Sequence, residues 1–470
     1  MRGAPQKFLT TLPSRYTRAA AADLATFRSI LGDANVLAGH ANDAARYNLD
    51  WMKQYEGRSA CVLRPGSTAE VAAVLAHCSA RRIPVVPQGG NTGLVGGAVP
   101  LDHEVVLSTE RLRALHSFDA DSGVAVCGGG MVLQALDEAL APHGWMVPLD
   151  LGSKGSCAVG GNVSTNAGGL RLLRHGSLHG SVLGVEAVTG EGEVLDMLCT
   201  LRKDNVGFDV KQLFIGSEGA LGVVTRVALQ AVARPAALNV ALLGAGSFED
   251  CIALLRLARR RLGEVLSAAE FVDARAMALC VAGLGLRLPF ATPAPFFFFV
   301  ETSGSHGAHD AEKLSAFLEE AAGAGLAVDG AVAADSAQAR SLWRLREDVS
   351  VAVSKRGHVY KCERRAPQPP RPHDVFLSPR SGARRAPTPR LTRAAPPPPP
   401  PCATCRRRVA APAPHVRPGG GGARAPAGAG LGPRGRVARG LRAPGRRQLA
   451  PQHLHARARR ALPRQAARRH

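Results

Sequence analysis

Two glycine-rich segments carry the residue types that bind phosphate. Residues 150–180, DLGSKGSCAVGGNVSTNAGGLRLLRHGSLHG, combine eight glycines with Ser, Thr and Asn and contain one acid, and residues 87–97, PQGGNTGLVGG, are a shorter segment of the same kind. Glycine lets a ligand approach the main chain closely, and a row of backbone N–H groups binds anions. The first glycine loop (87–97) and the second glycine loop (150–180) could therefore hold one extended nucleotide from two sides. The alternative is that both are structural turns.

The elements around the first glycine loop follow an α+β order. Apolar spacing predicts a strand over 60–64, a helix over 67–82 that starts with the capping pattern Ser-Thr-Ala-Glu, and a strand over 84–87. Two more strands (104–108 and 123–127) and a helix (132–143) come before the second glycine loop. This order is not the strand–GxGxxG–helix unit of a nicotinamide-binding domain, and neither loop fits a phosphate-binding P-loop.

A second αβ unit follows the second glycine loop. A hairpin over 182–189 and 194–197 comes first, and residues 213–225 then predict a short helix that turns into a strand. The remaining predicted elements are strands over 238–243, 268–272 and 296–302, helices over 248–262, 310–323 and 337–355, and a strand start at 358–362.

The net charge of +22 comes from the end of the chain. Residues 364–470 hold 25 Arg, no Lys and a single acid, Asp374, whereas residues 1–363 hold 34 basic and 36 acidic residues. The tail also contains 21 of the 33 prolines and no Ile, Met, Tyr or Trp, a composition that predicts disorder. Its abrupt start suggests a shifted reading frame. The alternative is a nucleic-acid-binding arm, but Phe376 is its sole stacking residue, so we expect no nucleic-acid partner.

The cysteines, the apolar runs and the N-terminal residues bear on the cellular location of the protein. The ten cysteines follow no disulfide-scaffold spacing, which favours a reducing compartment. No apolar run reaches the roughly 18 residues of a membrane span, so we expect none. The first 22 residues are basic and lack acids, as expected for the end of an organelle transit peptide or for a frayed N-terminus.

Several motifs together resemble one family. PQGGNTGLVGG, GSKGSCAVGGNVSTNAGGLRLLRHGSLHG, LRKDNVGFDVKQLFIGSEGALGVVT, ETSGSHGAHDAEKL and LWRLRED resemble the D-2-hydroxyglutarate dehydrogenases, flavoproteins of the vanillyl-alcohol-oxidase/p-cresol-methylhydroxylase (PCMH) type. The resemblance covers about residues 20–361. D-lactate dehydrogenases share the glycine loops and remain the alternative.

The resemblance implies an α+β architecture with a division into domains. An N-terminal segment (1–55) precedes a two-subdomain PCMH-type FAD-binding domain (56–235). A ferredoxin-like α+β substrate domain (236–363) follows, is cut short, and is succeeded by the disordered tail (364–470).

The implied cofactor is FAD. Covalent members of the superfamily attach flavin through a His in the first glycine loop, where this chain has Asn91, so we expect noncovalent FAD. Three segments supply the expected cofactor residues. These are Pro87, Gln88, Gly89, Gly90, Asn91, Thr92, Gly93 and Leu94; Gly152, Gly155, Ser156, Gly160, Gly161, Asn162, Ser164, Thr165 and Asn166; and Gly222, Val223 and Val224.

The implied substrate is a dicarboxylate with a 2-hydroxyl group. Arg346, Ser350 and Lys361 stand at the family's substrate positions, and an Arg fork suits a carboxylate. Without the resemblance, Arg346 would be read as a solvated charge or an ion pair with Glu347 or Asp348. The implied reaction gives 2-oxoglutarate and passes electrons to an electron-transfer flavoprotein. The basic N-terminus favours the mitochondrial matrix as the location.

The chain departs from the family at its end. The GHxGDGNLH and EHG segments, which supply the family's His/His/Glu ligands for a zinc-like divalent metal and its catalytic base, are absent. We therefore name no metal ligand and no catalytic residue. The second interpretation of the chain is a flavin-binding protein without turnover.

Overall fold

The structure, a computed structural model, describes residues 6–7, 16–38, 42–357 and 359–361. All of these residues belong to one unit, Met1–Pro369. The predictions for the start of the chain and for residues 364–470 lie outside the described residues, apart from a short strand at Gln6–Lys7 that pairs with Tyr55–Glu56.

The elements alternate between strands and helices along the whole described chain. The strands of the larger sheets are β1 (Val36–Ala38), β2 (Arg58–Leu63), β3 (Val85–Gln88), β4 (Asp102–Ser108), β5 (Leu115–Asp119), β6 (Val124–Gly128), β7 (Val182–Thr189), β8 (Val194–Met197), β9 (Gly222–Gln230), β10 (Ala237–Ala245), β11 (Leu266–Asp273), β12 (Phe296–Gly304) and β13 (Asp329–Val332). The α-helices are α1 (Ala21–Leu31), α2 (Thr68–Arg81), α3 (Leu133–Leu140), α4 (Val159–Ser164), α5 (Leu172–His175), α6 (Leu178–Ser181), α7 (Lys211–Phe214), α8 (Phe248–Arg261), α9 (Ala274–Leu284), α10 (Gly307–Gly323), α11 (Ser336–Glu347) and α12 (Val349–Ser354).

Sheet A contains β1-β2-β4-β3, in which β2, β4 and β3 are parallel and β1 is antiparallel. Helix α2 covers it and starts as the sequence predicts, with the Ser67 hydroxyl accepting from the Glu70 amide at 3.2 Å. The apolar face of α2, including Val71 and Val74, packs in one core with Phe27 of α1. The first glycine loop begins where β3 of this sheet ends.

Sheet B is antiparallel, in the order β8-β7-β9-β6-β5. Its core contains Leu136 and Leu140 of α3. Val188 of β7 and Val223 of β9 instead pack into the core of sheet A, so the two sheets share an apolar contact. The β7–β8 hairpin confirms the prediction from the sequence.

Sheet C has the order β11-β12-β10-β13 and is antiparallel. Numbered from β10, this is the 2-3-1-4 order of a ferredoxin-like sheet. Alternate residues point to opposite faces: Phe298 packs with α8 and α10, whereas Phe299 packs with α9 and α11. The strand predicted over 296–302, which contains the apolar run FFFFV, is confirmed as β12 and is largely buried.

The long helix predicted over 337–355 is interrupted. Helix α11 ends at Glu347 and α12 begins at Val349, because Asp348 between them has ψ 0. The Asp348 carboxylate accepts from Arg344, and the β-branched valines that follow favour helix less than the preceding residues. Residues 359–361 form no strand, whereas the outer residues of the predicted 358–362 strand lie outside the described part.

Candidate functional site

The first glycine loop is anchored by its polar side chains. Gln88 is buried and donates from Nε2 to the carbonyls of Tyr47 (3.0 Å) and Ala98 (2.7 Å), which ties together the base of the loop. Asn91 adopts φ +51 and donates from Nδ2 to the Leu49 carbonyl at 2.9 Å. The side chains of both predicted cofactor residues are thus engaged with protein, and what the loop presents is its backbone.

The backbone of this loop offers unpaired donors. Within the described part of the chain, the amides of residues 90–94 donate to no protein acceptor. Gly93 has open space where a side chain would begin, and Leu94 is exposed. Consecutive N–H groups without partners form a concave donor surface that fits the phosphates of a nucleotide.

The two glycine loops meet. A Cβ placed on Gly90 would lie 1.9 Å from the carbonyl oxygen of Ser156, and one placed on Gly89 would lie 3.2 Å from the Cβ of Ala158. Only glycine permits the contact at position 90. The sequence prediction that the loops act on one ligand is therefore compatible with their positions.

The second glycine loop is folded on the end of sheet B. The Gly160 amide at the start of α4 donates to the Gly129 carbonyl at 2.7 Å, and Asn162 is buried with Nδ2 3.5 Å from the Cys157 sulfur. Thr165 donates to the Gly161 carbonyl at 3.0 Å. Gly155 and Gly152 lie in the exposed part of the loop.

One polar atom of the second glycine loop has no partner. Asn166 adopts φ +48, and its buried Oδ1 has no hydrogen-bond donor among the described residues. A buried carbonyl oxygen of this kind costs free energy unless a ligand or water satisfies it. Together with the unpaired amides of the first glycine loop, it gives donors and acceptors that fit a large polar nucleotide such as FAD.

A third segment, residues 216–219, contacts both glycine loops. The amides of Gly216 and Glu218 donate to the carbonyls of Val163 (3.0 Å) and Ser164 (2.8 Å) in the second loop. A Cβ on Gly219 would lie 3.1 Å from Cγ of Pro87, in the first loop. The predicted cofactor residues Gly222, Val223 and Val224 begin β9 just after this segment, and both valine side chains are buried in the protein core.

The predicted substrate residues occupy two places. Arg346 lies in the last turn of α11, with Nε and Nη2 each 2.9 Å from Oε2 of Glu270. Ser350 is half-buried on α12. Lys361 has Nζ 3.3 Å from the Met52 sulfur, and burial lowers the pKa of its amine despite the nearby Asp50. The ion pair of Arg346 is with Glu270, and not with Glu347 or Asp348.

Both places border a glycine loop. A Cβ on Gly152 would lie 3.7 Å from Oε1 of Glu347, so the end of α11 lies at the second glycine loop. Burial, followed by the nearby Asp150, raises the pKa of Glu347. Met52, which Lys361 contacts, lies close in sequence to Leu49, which anchors Asn91 of the first loop.

Sequence reasoning missed a buried ion pair at this border. Arg171 contacts Asp150 within the second glycine loop and Glu301 on β12. A signal was present, because Glu301 is a lone acid directly after the apolar run FFFFV. Acids are almost never fully buried without a partner. The position of Glu301 therefore predicts a basic side chain from another element as its partner.

Among residues 16–38, 42–357 and 359–361, no group of three or more His, Cys, Asp or Glu side chains is arranged to hold a metal ion. No helix in the same residues is both long and apolar enough to cross a membrane.

The fold and the paired loops define a flavoprotein of the PCMH type. Among solved structures, p-cresol methylhydroxylase with substrate bound superimposes with a TM-score of 0.54 at 15% identity, over 66% of this chain and 65% of that one. A family model described as FAD binding domain matches residues 59–198, and one described as FAD linked oxidases, C-terminal domain, matches residues 234–370.

Relatives specify the family within that class. Mitochondrial D-2-hydroxyglutarate dehydrogenase of Arabidopsis thaliana is 49% identical over 345 residues, which are 73% of this chain and 61% of that protein. The Rattus norvegicus protein of the same name is 45% identical over 368 residues, 77% of this chain and 68% of that protein. The chain belongs to the D-2-hydroxyglutarate dehydrogenase family of FAD-linked oxidases. It spans about three fifths of the length of the Arabidopsis relative.

Proposed function

We propose that this protein is a dehydrogenase that binds FAD noncovalently and oxidises D-2-hydroxyglutarate to 2-oxoglutarate. Residues 56–235 form the FAD-binding domain in this proposal, and the substrate domain starts at 236. The observation that carries it is the direct contact of Gly90 with Ser156. This contact puts a loop whose amides at 90–94 lack acceptors among the described residues beside a second glycine-rich loop, so that both can reach one dinucleotide.

The loops supply donors to the cofactor through the backbone. In this proposal the amides of residues 90–94, which donate to no acceptor among the described residues, solvate phosphate charge without a lysine, and Asn166 Oδ1 accepts from a hydroxyl or ring N–H. The position of a covalent His is held by Asn91, whose side chain is committed to the Leu49 carbonyl. When bound, FAD supplies the hydride acceptor for the oxidation.

Arg346 is the proposed anchor for a substrate carboxylate. Glu270 takes the edge formed by Nε and Nη2 and so fixes the guanidinium plane, while Nη1 has no partner among the described residues. That nitrogen can donate to a carboxylate in a charge-assisted hydrogen bond. Ser350 would add a hydroxyl, and Lys361 would add a second cation whose partial burial strengthens its attraction for an anion.

The remaining parts of the proposal rest on the family. A divalent metal that polarises the substrate hydroxyl is expected there, but the described residues do not fit one, and no step is derived through it. We propose mitochondria as the location, as the names of the relatives have it, and an electron-transfer flavoprotein as the acceptor of the electrons.

A reduction experiment tests the function. The full-length chain is purified, loaded with FAD and mixed anaerobically with D-2-hydroxyglutarate, its L-enantiomer or D-lactate, while the visible absorption of oxidised flavin is followed. We expect bleaching by D-2-hydroxyglutarate alone. Faster bleaching by D-lactate would show that D-lactate is the preferred substrate. If the chain retains flavin but no hydroxy acid bleaches it, the chain is a flavin-binding protein without turnover. Acid precipitation should release all of the flavin into solution.

A further inference from the structure

The carboxylate of Glu301 lies between sheet C and the second glycine loop. Its side chain is 1% exposed and accepts hydrogen bonds from three residues: from Arg171 (Nε to Oε1 at 2.9 Å and Nη2 to Oε2 at 3.5 Å), from Ser267 (Oγ to Oε1 at 2.6 Å) and from Trp343 (Nε1 to Oε2 at 2.9 Å). These donors come from the second glycine loop, from β11 and from α11. A buried charge with this set of partners is sensitive to the loss of any one of them.

Arg171 also closes the second glycine loop on itself. Its Nη1 lies 2.8 Å from Oδ2 of Asp150, and the neighbouring Leu170 amide donates to the Asp150 carbonyl at 3.0 Å. A Cβ on Gly169 would lie 2.4 Å from that same carbonyl oxygen, and Gly169 adopts φ +72, so the closure demands glycine there. One guanidinium thus ties both ends of residues 150–171 to sheet C.

Trp343 extends the network to the helix that carries Arg346. The Trp343 ring stacks on Phe299 with centroids 5.7 Å apart, and its N–H reaches Glu301, two residues further along β12. Arg346 follows three residues later, on the same side of α11. The carboxylate that holds the loop is therefore also bonded to α11, in addition to the apolar packing of this helix on sheet C.

We propose that Arg171, Glu301 and Trp343 form a positioning network that couples the second glycine loop to α11, so that cofactor affinity depends on a side chain of the substrate helix. The inference rests on the proposed function in two respects: that the second glycine loop binds FAD, and that α11 carries the substrate anchor. None of the three residues is assigned a part in the chemistry; they act through the loop and through Arg346.

The test measures the FAD dissociation constant of the full-length apoprotein by titration, without substrate. Trp343→Phe keeps the stacking on Phe299 but removes the N–H donor, and we expect FAD affinity to fall at least about threefold, since hydrogen bonds to charged groups are the stronger ones. Arg171→Lys keeps a charge but cannot hold Asp150 and Glu301 together, and we expect a loss of about tenfold.

Two controls separate coupling from general loosening. Arg344→Gln alters an exposed residue of α11 whose side chain pairs with Asp348, and Phe317→Leu loosens the opposite face of sheet C. Both should leave FAD affinity within about twofold of the wild type, although Phe317→Leu lowers stability to urea by an amount typical of a core substitution.

The outcomes distinguish the two proposals. If Trp343→Phe and Arg171→Lys leave FAD affinity unchanged, or if Phe317→Leu lowers it equally, the coupling is overturned whether or not the enzyme turns over. If both variants lower FAD affinity but no hydroxy acid reduces the flavin, the network stands and the proposed activity falls. A wild-type chain that binds no FAD would overturn both.

Discussion

Gly90 and Ser156 are in direct contact: the space that a side chain of Gly90 would need is filled by the Ser156 carbonyl, whose oxygen would lie 1.9 Å from the added Cβ. One residue belongs to the loop after β3 of sheet A, and the other to the loop packed on the end of sheet B. Their contact therefore fixes the spacing between the two subdomains beside residues 90–94, whose amides donate to no acceptor in the described part of the chain.

Gly90→Ala is expected to destabilise the protein and to weaken FAD binding. The new Cβ would meet backbone, which cannot rotate away, so the loops must separate; overpacking of this kind costs about 1–3 kcal/mol. Urea unfolding of the apoprotein and an FAD titration measure the two effects. An alanine variant with native urea stability would show that the loops are not in contact.

Gly93→Ala separates the cofactor effect from the fold. Nothing lies within 4 Å of the Cβ added there, so the free energy of unfolding of the apoprotein should change by no more than about 0.5 kcal/mol. If the phosphates of FAD fill this space, the dissociation constant for FAD should rise about tenfold or more. Native affinity in Gly93→Ala would place the phosphates elsewhere along the loop.

The sequence allowed much of this fold to be predicted, because its strongest signals are local. The capping pattern at Ser67 and the apolar periodicity of α2 were sufficient for that helix. In contrast, β5 was missed because its side chains are mostly exposed and show no alternation. The break at Asp348 was missed because helical periodicity continues across it, and only ψ at one residue records the interruption.

The sequence allowed the two glycine loops of the site to be predicted, but not the side-chain contacts that hold them. Glycine spacing indicated two phosphate-binding loops, but which side chains serve the fold, as Gln88 does, depends on carbonyls that are distant in sequence. The same holds for Arg346, whose partner Glu270 lies on β11, and for Arg171 with Glu301. Pairings of this kind arise only when separate elements pack, and no local pattern encodes them.

The buried carboxylate of Asp23 should make the free energy of unfolding depend on pH in the acidic range. Burial alone would raise the pKa of this carboxyl, but hydrogen bonds from the Ala20 amide, Arg81 and His77 outweigh it and hold the pKa below the ordinary 3.8. The stabilisation is therefore complete above about pH 4 and is lost as pH falls through the lowered pKa. We expect Asp23→Asn to cost about 1–3 kcal/mol at neutral pH.

The control for this prediction is Asp33→Asn. Asp33 is exposed and forms a surface ion pair with Arg28 at 3.6 Å, so its removal should change stability by less than about 0.5 kcal/mol. The difference between the urea midpoints of wild type and Asp23→Asn should be constant from pH 7 to about pH 4 and should narrow as the pH falls further, towards pH 3. A constant difference between them across that range would mean that Asp23 does not titrate as argued.

Arg346→Lys tests the proposed substrate anchor. A lysine keeps the positive charge but has no planar fork, so it cannot hold Glu270 on one edge and present a free N–H to a carboxylate in fixed geometry. We expect KM for D-2-hydroxyglutarate to rise about tenfold or more, which corresponds to about 1.4 kcal/mol or more of lost binding, with a smaller change in kcat.

Arg344→Lys, an exposed position of the same helix, is the matched control. A normal KM in Arg346→Lys would remove this residue from the substrate site, whereas an equal rise for D-lactate would show that Arg346 binds the carboxylate common to both acids.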